Sequence, residues 1–244
     1  LAVMGATPRW LMATLLLPEG TEPATAGMIF EQLQDACDGL GISLVGGHTE
    51  VTYDLPRPLA VGAMLGEVSK EDVVLTSGAR PGDTIVLTKG VAIEGTAILA
   101  REAPERLRDA GVAVDVVDRA SKLLFDPGIS VVRDAKVARD AVDVHSMHDP
   151  TEGGLATALR EASEAAGVGV IIDADRVPVL PECQAVCNAL GLDPLGLIAS
   201  GALLATVSPE DAPALVSALH REGIAAWEIG SVTEYEEDVR LRTN

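Results

Sequence analysis

The sequence predicts an α/β protein organised in two domains. Short runs rich in Val, Ile and Leu alternate with helical stretches along most of the chain. Several of those runs end in glycine-bearing corners from which a helix starts, where α/β proteins keep their sites. A stretch that gathers Ser, Gly, Pro and Asp, "LTSGARPGD" at 75–83, separates the two groups of elements, so domains are expected at 1–75 and 76–244. With 244 residues, 48% of them apolar, the chain has enough material for a sizeable core.

Taken in order, the first domain reads as a helix over about 7–17, a helix over about 23–40 opened by Pro23, a strand "ISLVGG" and a strand "PLAVGAMLGEV". The second reads as a strand "TIVLTKG", helices at about 93–102, 115–124 and 128–140, and a strand "VDVHSMHD" running into a glycine-bearing helix. A strand "VGVIIDAD", a helix at 181–190, a strand "GALLATVS", a helix at 209–222 and a strand near 225–233 complete it. The first domain would then hold two strands, too few for a stable sheet. Leu1 opens the sequence without a methionine and its first residues read as a helix in progress. The N-terminal domain is therefore expected to be truncated, or completed by a homodimer.

A formal net charge of −19 offers no basic face for a phosphate backbone, so nucleic acid is not an expected partner. No apolar run reaches the ~18 residues that would span a membrane, and no export signal is visible, so a cytoplasmic protein is expected. Cys37, Cys183 and Cys187 make no disulfide framework, and Cys183 and Cys187, four apart on a helix, read as two small buried apolar residues.

Three corners combine residues that carry chemistry. In "HDPTEGGLATAL", Asp149, Pro150 and Glu152 have the order of an N-cap, N1 and N3 capping signature. Two glycines in a first helical turn cost roughly 1 kcal/mol each relative to alanine, and a cap does not require them. Gly153 and Gly154 fit a helix start approached closely by an anion, with Asp149 at the strand end placed to hold magnesium. The residues alone leave both readings open. In "SLVGGHTEVT", Gly46 and Gly47 lead from a strand into His48, Thr49 and Glu50, which read either as polar hairpin-tip residues or as binding groups on a loop. In "LTKGVAIEGTAIL", Lys89 and Gly90 end a strand, and Glu94, Gly95 and Thr96 lie where a helix begins, without the order of a P-loop. No Gly-x-Ser-x-Gly elbow, His-Glu-x-x-His, paired Cys-x-x-Cys or Gly-x-Gly-x-x-Gly fingerprint occurs.

Together and in this order, "LVGGHTEV", "RPGDTIVLTKG", "HDPTEGGLATAL" and "GLDPLGLIASGALLATV" resemble the aminoimidazole ribonucleotide synthetase (PurM-like) superfamily over nearly the whole chain. The resemblance is nearest to its HypE-like and synthetase-related branch. It implies a two-domain PurM-like α/β fold that dimerises through the first domain, with a mixed sheet and packed helices in the second. It also implies an ATP- and magnesium-dependent enzyme that activates an amide or acid oxygen by phosphate transfer, on a small-molecule or carbamoyl-type substrate. Carried over by motif, Asp149 is the magnesium ligand. Gly46, Gly47, Thr49, Lys89, Gly95, Thr151, Gly153 and Gly154 bind the nucleotide, and His48, Glu50 and Glu94 are the catalytic positions. The Gly46–Glu50 residues are expected to face the Asp149 corner across a cleft.

The chain departs from the family in places. The family's first glycine-rich loop and early metal-binding aspartates are expected upstream of Leu1, and "VRLRTN" stands at the end, whereas the HypE-like branch ends in a cysteine. His-Thr-Glu stands where a thiamine-monophosphate kinase has Asp-Thr-Thr, and the reactive cysteine of a selenophosphate synthetase is not seen. Those two activities, and a non-catalytic relative that binds a nucleotide or partner, are the alternatives.

Overall fold

A computed structural model describes residues 1–234 and 239–243. The chain forms two compact units, Leu1–Val73 and Val74–Asn244.

The first unit is a three-stranded sheet, β1 (Thr7–Pro18), β2 (Ser43–Thr52) and β3 (Leu59–Glu67), with one helix, α1 (Pro23–Leu40). β1 lies in the centre, parallel to β2 and antiparallel to β3. The helix expected over 7–17 is therefore a strand. "WLMATLLLP" is apolar enough to suit either period, and two pairing neighbours decide between them. Both prolines of β1 sit at its ends, and the pairing with β3 shifts between Pro8 and Trp10, so neither interrupts the central ladder. Leu15 and Leu17 are buried, and Leu15 lines a cavity with Phe30 and Leu33 of α1. Alternation sends Trp10, Met12, Thr14 and Leu16 to the other face, where Leu65, Ala63, Val61 and Leu59 are their β3 partners in register. That face is exposed: Val61 is 59% and Leu65 54% accessible.

Helix α1 starts with Pro23 at its first turn and stops at Gly41, whose φ of 66° lets the amides of Gly41 and Ile42 turn back to the carbonyls of Asp38 and Cys37.

The second unit is built on a six-stranded mixed sheet in the order β5-β7-β4-β8-β6-β9, from β4 (Thr84–Thr88), β5 (Val144–His148), β6 (Gly169–Asp173), β7 (Leu204–Val207), β8 (Ala226–Thr233) and β9 (Val239–Arg242). All neighbours are antiparallel except β6 and β9. Its helices are α2 (Ile93–Glu102), α3 (Pro104–Asp109), α4 (Val114–Ala120), α5 (Val132–Ala141), α6 (Gly154–Ala166), α7 (Pro181–Leu190) and α8 (Ala212–Arg221). Of these, α3 was not anticipated, and neither was β9. The stretch "GALLATVS" pairs only over Leu204–Val207.

The main core joins Ile85, Leu87, Leu204, Ile229 and Ile172 of the sheet to Leu155 and Leu159 of α6 and to Cys183 and Cys187 of α7. Both cysteines read as buried apolar residues are so placed, with their sulfurs 3.9 Å apart. Burial pushes the Cys187 thiol up to about 12. No helix among the described residues is long and apolar enough to cross a membrane.

Candidate functional site

The Asp149 corner follows β5 directly. β5 ends at His148, whose Nε2 lies 2.9 Å from Glu161 Oε2 on α6. Asp149 is half-buried, Pro150 buried, and Thr151, Glu152 and Gly153 exposed. The helix does not begin at Asp149. It begins at Gly154, with Gly153 as its cap residue and no side-chain capping bond. The capping signature is overturned because Gly153 and Gly154 are both left-handed, with φ of 78° and 67°, which turns the chain sharply before the first helical residue.

What approaches Gly154 is the protein's own backbone, while Gly153 faces the Thr157 side chain. A Cβ on Gly154 would stand 2.3 Å from the Leu195 carbonyl oxygen and 2.7 Å from that of Leu197. The Ala156 amide donates to Leu195 O at 3.0 Å, the Ala199 amide to Thr151 O at 3.1 Å, and the Gly154 amide to the same Thr151 carbonyl at 3.1 Å. Much of the amide cluster at the start of α6 is thus bonded within the chain. A strap, residues 193–201, does this work, immediately ahead of the stretch that contains β7.

The same strap reaches the third corner. The Gly95 amide donates to Ile198 O at 3.0 Å, and a Cβ on Gly95 would lie 2.5 Å from Leu197 Cγ and 2.9 Å from Ile198 O. Glu94 is half-buried in the first turn of α2. The strap therefore brings the Glu94–Gly95 and Thr151–Gly154 corners together. Its glycines, "GLDPLGLIASG", were the signal available in the sequence.

Lys89, expected to bind the nucleotide, is turned inward. Its ammonium lies 3.2 Å from Asp134 Oδ2 and donates to Ser130 O at 2.7 Å, with the two side chains only 6% and 2% accessible. Burial lowers the lysine below its usual range, and the Asp134 carboxylate works against that shift. Asp134 Oδ1 accepts the Thr88 hydroxyl at 2.7 Å, and Thr88 Oγ1 accepts the Leu203 amide at 2.9 Å. Sequence reasoning missed Asp134. Its signal was a charged residue beside Ala135 and Ala138 on the buried face of α5.

In the first unit, Gly46 and Gly47 lie inside β2 rather than on a loop, and His48, Thr49 and Glu50 continue the strand. Leu11 pairs with Leu44 and Met12 with Gly46, so Val45 is an extra residue and the glycines sit at a bulge. A Cβ on Gly47, φ 147°, would stand 1.8 Å from Ala13 O. Gly46, Gly47 and Thr49 line a cavity of about 350 Å³ with Phe30 and Leu33. His48 Nε2 lies 3.5 Å from Glu50 Oε2, both exposed and two apart on one strand face.

Among the described residues no group of three His, Cys, Asp or Glu side chains converges to hold a metal ion. Asp149 therefore fits magnesium only in the mode in which phosphate and water supply most of the six ligands and protein one or two carboxylates. A larger groove of about 710 Å³, lined by Arg176, Pro178 and Trp227, contains none of the expected residues.

A bulged three-stranded sheet and a mixed sheet whose glycine corners share one strap define a class of protein. Residues 1–68 match the N-terminal domain and residues 80–241 the C-terminal domain of AIR synthase related proteins, and the chain belongs to that family. It is similar to the carbamoyl dehydratase HypE of Cupriavidus necator, with 35% identity over 96% of this chain and 64% of the relative. It thus spans a little under two thirds of that protein's length. Among solved structures, Escherichia coli HypE superposes with a TM-score of 0.83 at 25% identity, covering 99% of this chain and 72% of that one. A hydrogenase maturation protein HypE in complex with ATP superposes with a TM-score of 0.75 at 27% identity, covering 96% and 67%.

Proposed function

We propose that the chain is the catalytic part of an ATP- and magnesium-dependent, HypE-like enzyme that activates an amide or acid oxygen, of carbamoyl type, by phosphate transfer. The observation that carries this reading is the likeness, across both units, to HypE proteins, one of them solved with ATP. Magnesium, when bound, would neutralise phosphate charge and orient the transferred group. Asp149, half-buried at the end of β5, would supply its one protein carboxylate, and the exposed Thr151 hydroxyl and Gly153 backbone would lie beside the phosphates. Glu94, and the His48–Glu50 pair on the first unit, are the groups able to take or give a proton. Gly46, Gly47 and Thr49 would shape the nucleotide or substrate pocket, and Gly95 and Gly154 act by admitting the strap. The exposed apolar face of β1 and β3 supports a homodimer through the first unit.

Calorimetry with Mg-ATP on the full protein, followed by product analysis, tests this. Binding with ADP release, abolished in Asp149→Ala, is the expected result, and unchanged turnover in that variant removes Asp149 from the mechanism. A second reading, a relative that binds without turnover, is favoured by one observation: amides at the start of α6 are already bonded to Thr151 and Leu195. Binding without ADP formation would establish it.

A further inference from the structure

We propose that Lys89 and Asp134 are positioning residues: their buried ion pair fixes the turn from β4 into α2 and thereby aims the Glu94–Gly95 corner. The proposal deepens the nucleotide-binding reading and rests on it for the ligand alone. The turn is held in backbone conformations that L-residues rarely adopt, with φ of 59° at Lys89, 141° at Gly90 and 57° at Ala92. For the non-glycine residues Lys89 and Ala92 such conformations are strained and persist where surrounding contacts over-determine them. The Val91 amide donates to Pro178 O at 3.0 Å, and the other contacts run through one buried pair.

The backbone of Lys89 is anchored by its amide to Ala225 O at 2.8 Å. Its ammonium bonds the 128–130 turn at Ser130 O and approaches Gly128 O at 3.5 Å. Through Asp134 and the Thr88 hydroxyl the pair reaches the Leu203 amide, where the chain enters β7. The 128–130 turn in turn packs on the end of the strap: a Cβ on Gly201, φ 120°, would stand 3.1 Å from Gly128 O. From Gly201 the strap runs back to Ile198, whose carbonyl takes the Gly95 amide. The circuit closes on the corner that carries Glu94. A buried ion pair is often no more stabilising than apolar residues of the same volume, whereas it does demand one arrangement of the groups around it. Stability alone therefore does not account for a lysine and an aspartate at this point, and a role in fixing geometry does.

The test uses the full protein with the neutral double variants K89M/D134N and K89G/D134N, the second of which removes the left-handed penalty. Amide hydrogen exchange over residues 89–96 and 128–132 is expected to accelerate at least tenfold in the folded variants, and the Kd for Mg-ATP to rise at least tenfold. K89R, which keeps the charge, should restore both toward the original values. Exchange within twofold of the unmodified protein in either folded double variant overturns the proposal. So does K89G/D134N matching it when K89M/D134N fails to fold, since relief of backbone strain alone would then suffice. If the unmodified protein binds no Mg-ATP, the nucleotide reading fails, while the exchange result still decides the positioning role.

Discussion

The amide-bearing start of α6 and the strap meet where a Cβ on Gly154 would lie 2.3 Å from the carbonyl oxygen of Leu195. Gly154 is also left-handed, at φ 67°. Gly154→Ala combines the backbone penalty with a clash against main chain that cannot rotate away, and should cost about 2–4 kcal/mol. Gly153→Ala has a similar φ, and its Cβ would lie 2.1 Å from Thr157 Oγ1, which can rotate away, and 2.7 Å from Thr157 Cβ, which cannot, so about 1–3 kcal/mol, less than for Gly154→Ala, is expected. Urea midpoints of the two variants check the order; equal losses would mean that the strap yields.

Leu155 is fully buried in the main core between α6 and the sheet, and Leu155→Ala should lower stability by about 2–5 kcal/mol. Phe125 is 77% exposed, with the Arg101 guanidinium 5.4 Å from its ring centroid. Phe125→Ala should therefore cost no more than about 1 kcal/mol. Thermal unfolding of both variants measures the contrast.

All three cysteines are buried, and the Cys187 thiol is raised from 9.0 to about 12, chiefly by burial. The folded protein keeps this proton where the unfolded chain loses it. Its contribution to stability is thus fully present below pH about 9 and is lost as pH rises toward 12. A thiol reagent at pH 8 should modify none of the three cysteines in the native protein and all of them in urea. Fast native labelling of Cys183 or Cys187 would contradict the packing of α7, and of Cys37 that of α1.

The face of Trp10, Met12, Val61 and Leu65 is apolar and exposed within the first unit. If the proposed homodimer forms through this face, Val61→Asp should shift the protein from dimer to monomer in light scattering and leave the far-ultraviolet spectrum unchanged. A variant that keeps its mass would move the interface elsewhere.

What the sequence determined by itself was local. Alternating strand and helix runs specified α/β layers, Pro23 marked a helix start, and a turn-rich stretch marked the passage between units near residue 75. The glycine corners stood out because a glycine pair at a helix start has no local justification, and they carried the family resemblance with them. Tertiary structure decided what depends on neighbours distant in sequence. β1 is a strand because β2 and β3 offer it two ladders, although its apolar run suits either period. Asp149 is no helix cap, because the Leu195–Leu197 backbone and two left-handed glycines set where α6 begins. Lys89 faces inward because Asp134, on a helix beyond three others, gives a buried ammonium its counter-charge. A single residue string contains each of these partners, but only the packed chain brings them within hydrogen-bonding distance.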